Sequence, residues 1–260
     1  MQAQDLVNHI RNHRCYNHPL FHHWAEARPD AETVGALFHH IQRLCSCTRP
    51  ALEFESALSR IGLDEECEIL ASIVKSEADH GPQLATMAAH TVNQRSGTLL
   101  FSSLTDQRAV EAQLAEYSQR KLGALPGYRA ATSSLPEDRR VWEVFGRRAK
   151  DDPESTYRNI GTLLAIELLA NGHIIPGEVH CLVDAGSYGV TIEDPEMEYL
   201  KEHAGEAGAE NWYEREAIRA VEGVLSPSNE ELILQGANDC LDSIAALWDV
   251  LDENLLGSHA

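Results

Sequence analysis

Positive charge is what this chain most clearly lacks: 21 Lys and Arg stand against 41 Asp and Glu, a formal net charge of −20. Nucleic acid and anionic membrane surfaces would repel such a chain, so both are excluded as partners. Strictly alternating apolar and polar stretches are also scarce, which argues against a core built from sheets. No apolar run is long enough to span a bilayer: the most apolar, "IGTLLAIELLA", is short and contains Glu167. The N-terminus, "MQAQDLVNHIRNHRC", has no apolar centre of the signal-peptide kind. Cysteines are few and irregularly spaced, at 15, 45, 47, 67, 181 and 240. The single residue between Cys45 and Cys47 suits neither a zinc site nor a disulfide. The cysteines read as free thiols in a reducing compartment, and the cytoplasm is the expected location.

What is present is helical periodicity. With 260 residues, 43% of them hydrophobic, the chain can bury a substantial core. No stretch reads as a linker and none repeats, so residues 1–260 are expected to form one all-α, bundle-like domain. Asp30 is placed to cap the helix "AETVGALFHHIQRLCSC", and Thr105 or Asp106 begins the helix "DQRAVEAQLAEYSQRKL". A short helix is expected from Pro50 to Arg60. A longer one opens at Asp64 and runs to about Asn93, with a kink at Gly81-Pro82. Asp152-Pro153 opens an apolar helix from Ser155 to Asn171, for which Gly172 is the expected stop. A short helix follows in "PGEVHCLVDAG". Two more run from about Pro195 to Val224 and from about Asn229 to Leu255.

Three places break the apolar pattern. In "SEADHGPQLATMAAH", Glu77 and His80 are three apart and share a helix face. A carboxylate and a neutral imidazole together suit iron, manganese or zinc. Glu-x-x-His is the ligand unit of carboxylate-bridged dimetal bundles. On a solvated face the same pair is an ordinary surface pair. The second place is Glu167, flanked by Leu163, Leu164, Ile166, Leu168 and Leu169. A helix apolar all round is a buried one. An interior carboxylate needs an arginine, an exposed sliver of helix, or a metal. In the third, "YLKEHAGEAGAENWYE", His203, Glu206 and Glu210 fall on one stripe of the expected Pro195–Val224 helix. Small residues around that stripe would let a metal, a substrate or another helix approach. The same letters also fit a solvent-facing acidic stripe.

Taken in order, these motifs resemble those of the heme-oxygenase-like diiron oxidases, relatives of the pyrroloquinoline-quinone synthase and TenA thiaminase folds. "HPLFHHW" (18–24) resembles their first helix and "SEADHG" (76–81) their Glu/His helix. "IGTLLAIE" (160–167) is similar to their G-x-L-Y-A-x-E helix, the most specific of the matches. "EYLKEH" (198–203) resembles the entry to their late ligand helix, and "LDSIAALWDVLDENL" (241–255) the last helix of the quinone-synthase branch. The resemblance implies a heme-oxygenase-like multi-helix bundle with Glu77, His80, Glu167 and His203 as iron ligands. The late helix departs from the family's pattern: Ala207 and Glu210 stand where Asp and His are usual, so Glu206 or Glu210 is the expected substitute. His90 is the runner-up to His80, and Glu53 or Glu55 a minor candidate for a further early carboxylate.

By the same resemblance, two ferrous ions with O2 as co-substrate would oxidise a small amino-acid-like or fatty-acid-like metabolite. A homodimer is the assembly it suggests. Apart from the resemblance, Arg158 and Lys75 are candidates to meet a substrate carboxylate, with no sequence feature picking one, and Tyr157, Tyr188 and Trp212 are candidates either to line the pocket or to be plain packing. Two alternatives stand beside this one. The first is a metal-independent quinone-synthase- or thiaminase-like enzyme on the same fold, the latter calling for a nucleophilic cysteine such as Cys181 or Cys47. The second is a non-catalytic helical binding protein.

Overall fold

The structure is a computed structural model. It describes residues 1–47, 59, 61–66, 68–69, 80–147, 152–205 and 208–257, apart from the side chains of 45–47 and 210. The helix expected from Pro50 and most of the one opened by Asp64 lie outside the described residues. Among the described residues every regular element is helical, and the chain is all-α as expected. The described helices are α1 Ala3–Arg11, α2 Leu20–Ala27, α3 Ala31–Cys47, α4 His80–Ser96, α5 Gln107–Leu122 and α6 Pro136–Phe145. They continue with α7 Pro153–Leu169, α8 Ile175–Glu178, α9 Glu198–His203, α10 Ala209–Val224 and α11 Glu230–Leu251.

The helix starts follow from side-chain chemistry. Asp30 Oδ1 accepts from the Thr33 amide at 2.8 Å, and Asp106 Oδ1 from the Ala109 amide at 3.1 Å. Asp152 Oδ1 accepts from Glu154, with Pro153 at the first helical position, where no amide hydrogen is missed. Each cap satisfies a donor that the first turn would otherwise leave without a partner.

The apolar side chains form one continuous cluster with α7 at its centre. α7 packs most extensively on α11, and also on α10, α1 and α6. Glycine sets how close the α7–α11 crossing is. A Cβ on Gly161 would lie 1.9 Å from the Ile233 carbonyl oxygen, and one on Gly236 would lie 1.9 Å from that of Arg158. Thr162 Oγ1 then donates to the Gly236 carbonyl at 3.1 Å. The glycine of "IGTLLAIE" thus has a packing reason of its own. On the other side, α3 packs against α4, α5 and α6.

"HPLFHHW" ties the N-terminal segment to the C-terminal end of the chain. His18 Nε2 lies 3.0 Å from Asp249 Oδ1, and His23 Nδ1 lies 2.8 Å from Asp252 Oδ2. Arg14 reaches Asp249 at 2.9 Å.

Two expected boundaries are corrected. Gly172 does not stop the helix. The rod continues from Pro153 to Asp184 through a π-helical turn at Ala170–Ile174, then α8, then a second π-helical turn at Val179–Asp184. Gly172 is required for a different purpose, since a Cβ there would lie 1.6 Å from the Tyr16 hydroxyl. Gly177 in the same way admits the ring of Phe21. By length and composition this rod is one that could cross a membrane, yet 67% of its most apolar window is buried inside the protein.

The second correction concerns the expected Pro195–Val224 helix, which is broken. α9 ends at His203, Ala204 is extended, and Gly205 takes a left-handed φ of +82° before α10 begins at Ala209. Glycine adopts that backbone without the Cβ clash that other residues meet. His203 and Glu210 therefore do not lie on one continuous helix, and Glu206 lies outside the described residues.

Candidate functional site

His80 and His203 come together inside the bundle. His80 opens the described part of α4 and His203 closes α9, two elements that pack on each other. Their rings meet edge to face with centroids 4.4 Å apart at 83°. Tyr199, one turn before His203, completes the group, its ring centroid 4.5 Å from His203 and 5.5 Å from His80. Both imidazoles are buried. The break at Ala204–Gly205 places His203 at a helix end.

His203 is also held in a defined tautomer. Its Nδ1 lies 2.6 Å from the Tyr199 carbonyl oxygen, an acceptor only, so Nδ1 carries the hydrogen. The lone pair of the neutral ring then resides on Nε2. Metal-binding histidines are commonly fixed in this way, by a carbonyl that accepts the hydrogen of the other ring nitrogen.

Glu167 is on α7 with 8% of its surface exposed, as its leucine surroundings imply. α10 packs against both α7 and α9, and the Tyr213 ring of α10 lies 6.4 Å from that of His203. Glu77 and Glu206 lie outside the described residues. Glu210 is in the first turn of α10, but its side chain lies outside them too. Among the described residues, no group of three or more His, Cys, Asp and Glu side chains could hold a metal.

The remaining expected site residues are dispersed. His90, on the same helix as His80, lies 3.5 Å from Asp194 and 4.0 Å from Glu196. Arg158 is engaged at the α7–α11 contact, where its Nε donates to Gln235 at 2.9 Å. Tyr188 accepts a hydrogen bond of 2.7 Å from the Trp24 indole, and burial raises its phenol. Trp212 is 36% exposed, a surface position. Lys75, Glu53 and Glu55 lie outside the described residues.

One interior acid escapes sequence reasoning. Glu178, on the single α-turn between the two π-helical turns, is 1% exposed, and neither carboxyl oxygen has a hydrogen-bond partner among the described residues. Desolvation pushes its pKa up to about 8, so the neutral acid is the favoured form at pH 7. The only available sequence signal is an acid set among Ile174, Ile175, Cys181 and Leu182. Expecting a short, separate helix there hid it. Glu167 and Glu178 are eleven positions apart on one rod, roughly 15 Å along its axis. That is too far for both to serve one metal pair, whose ions sit ~4 Å apart.

A second buried network has the connectivity of an acyl-transfer triad. His40 Nε2 lies 2.9 Å from Ser118 Oγ, and His40 Nδ1 lies 2.9 Å from Asp138 Oδ1. The nucleophile position fails the test of access, because Ser118 is 0% exposed and its Oγ also meets the Tyr128 hydroxyl at 3.0 Å. Asp138 Oδ2 accepts from the Leu135 amide at the start of α6. The network ties α3, α5 and α6 together rather than presenting a nucleophile.

Compared with known proteins, the chain matches no family model, no curated protein and no solved structure.

Proposed function

We propose that this protein is a non-heme iron oxidase or oxygenase on a heme-oxygenase-like bundle. It would hold two ferrous ions and use O2 to oxidise a small amino-acid-like or fatty-acid-like metabolite. The observation that carries this reading is the meeting of His80 and His203. Two motifs far apart in the chain, each singled out for metal-ligand chemistry, contribute imidazoles to one buried point.

The donor chemistry fits iron. Two imidazoles are borderline nitrogen ligands, and the buried Glu167 carboxylate is a hard oxygen ligand. His80, His203 and Glu167 would be ligands, with Glu77 and one of Glu206 and Glu210 completing the set. Iron bound there would supply the O2-dependent redox chemistry. The chain's own residues do the rest. The Tyr199 carbonyl holds His203 in the Nε2 lone-pair tautomer. The buried ring of Tyr199 packs beside both imidazoles, and that of Tyr213 beside His203.

Cys181 counts against the thiaminase-like alternative. It is fully buried, and desolvation holds its thiol well above the ordinary range, the reverse of an activated nucleophile. The side chain of Cys47 lies outside the described residues.

Anaerobic reconstitution with Fe(II), followed by metal analysis and exposure to O2, tests the proposal. Roughly two irons per chain and an O2-dependent absorbance change are expected. Protein that retains no iron after desalting would overturn it.

A further inference from the structure

α9 has six residues, too few to hold its own last residue, His203, in place. Two residues outside the candidate ligand set close the turn behind it. Gly208, just before α10, is buried, and its backbone (φ −67°, ψ 154°) is one that any residue adopts. Space is what requires glycine there. A Cβ would lie 2.2 Å from the His203 carbonyl oxygen and 2.9 Å from that of Ala204. The Gly208 amide donates to the Gly205 carbonyl at 3.1 Å, and Asn211 Nδ2 donates to the same carbonyl at 2.8 Å.

The Asn211 amide is oriented from its other end. Asn171, on the π-helical turn at Ala170–Ile174, donates through Nδ2 to Asn211 Oδ1 at 3.4 Å. The oxygen of Asn211 therefore faces Asn171 and its nitrogen faces Gly205. Asn171 Nδ2 also donates to Glu214 of α10, whose other oxygen accepts from Arg11 of α1 at 2.7 Å. A chain of polar contacts thus runs from α1 and the π-helical turn, through α10, to the left-handed residue that ends α9.

We propose that Gly208 and Asn211 are positioning residues for His203. Gly208 lets the chain close directly on the His203 carbonyl, and Asn211 ties that closure to the rest of the bundle. Together they keep the His203 backbone where its Nδ1 hydrogen meets the Tyr199 carbonyl at 2.6 Å and Nε2 carries the lone pair. The assignment of this geometry to metal binding rests on the iron reading above. The control of the ring itself does not.

Ring ¹⁵N NMR of the metal-free full chain, at a pH where imidazoles are neutral, tests the proposal, with Fe(II) titration as the second readout. The wild type should show His203 as one tautomer, with its hydrogen on Nδ1. Gly208→Ala drives a Cβ into the His203 carbonyl, and Asn211→Ala removes one exposed hydrogen bond at little cost in stability. Both variants should show mixed His203 tautomers, and Fe(II) affinity should fall roughly ten-fold or more. A wild-type His203 pattern in both variants would overturn the proposal, even with a lowered melting temperature, since the turn would then serve stability alone. If the wild type binds no iron while the variants lose the single tautomer, the positioning role stands and the iron reading fails. If iron binds and the variants keep both tautomer and affinity, the iron reading stands and the positioning role fails.

Discussion

Gly161 of α7 and Gly236 of α11 lie at one helix crossing, each facing the other helix's backbone where a side chain would otherwise begin. The atoms met at 1.9 Å are carbonyl oxygens, which cannot swing aside as a flexible side chain would. Relief therefore requires the helices to separate, with loss of contact along the most extensive interface between described helices. Gly161→Ala and Gly236→Ala are each expected to destabilise by about 2–3 kcal/mol, despite alanine's better helix propensity. Urea unfolding with an unchanged m-value checks this. A gain in stability would show that the crossing relaxes freely.

The pH dependence of stability should report Glu178. Its folded pKa, about 8, stands above the ordinary 4.5, so between those values the folded state binds the extra proton. Stability from this group is complete below pH 4.5 and is lost as pH rises toward 8. His39 and His173 act with the opposite sign. Burial lowers their folded pKa values to about 3 and about 4 from 6.5, so they favour folding increasingly as pH rises to 6.5. Between pH 6.5 and 8 the Glu178 effect is the one that remains of these three, a decline of about 2 kcal/mol over the interval. Glu178→Gln should abolish it, as read from urea midpoints at pH 6.5, 7.2 and 8. An identical slope in the variant would refute the assignment.

His40 offers a different kind of test, because its partners are enclosed. His40→Ala leaves Asp138 without its imidazole and removes one of the two partners of Ser118 Oγ, and should cost about 3–5 kcal/mol. Ser118→Ala removes a weaker link and should cost about 1–2 kcal/mol. A fluorophosphonate probe should leave Ser118 unlabelled in the folded protein. Labelling would turn this structural network into a catalytic one.

How far the sequence led depends on whether each signal is local. The caps at Asp30, Asp106 and Asp152 act on the residues beside them, so they are legible in the letters. The burial of Glu167 was legible as well, because the leucines around it leave no polar face. Gly172 was misread as a stop because its role is set by Tyr16, a partner remote in sequence. The His203–Glu210 stripe was misread because one left-handed residue, Gly205, breaks the periodicity that the spacing assumed. Glu178 was missed since its isolation depends on neighbours brought in by other helices.

The choice between His80 and His90 can be decided by metal content rather than activity. His80 shares its interior position with His203, whereas His90 faces the carboxylates of Asp194 and Glu196. After anaerobic loading, His80→Ala, His203→Ala and Glu167→Ala should each lower iron per chain and weaken Fe(II) affinity more than ten-fold, while His90→Ala retains wild-type content. Fe(II) binding to the folded form alone raises the melting temperature, so that increment should shrink in the first three variants and persist in the fourth. The increment separates a lost ligand from a damaged fold, because it is measured against each variant's own metal-free state. Wild-type iron content in Glu167→Ala would remove that carboxylate from the site, and loss in His90→Ala with retention in His80→Ala would reverse the histidine assignment.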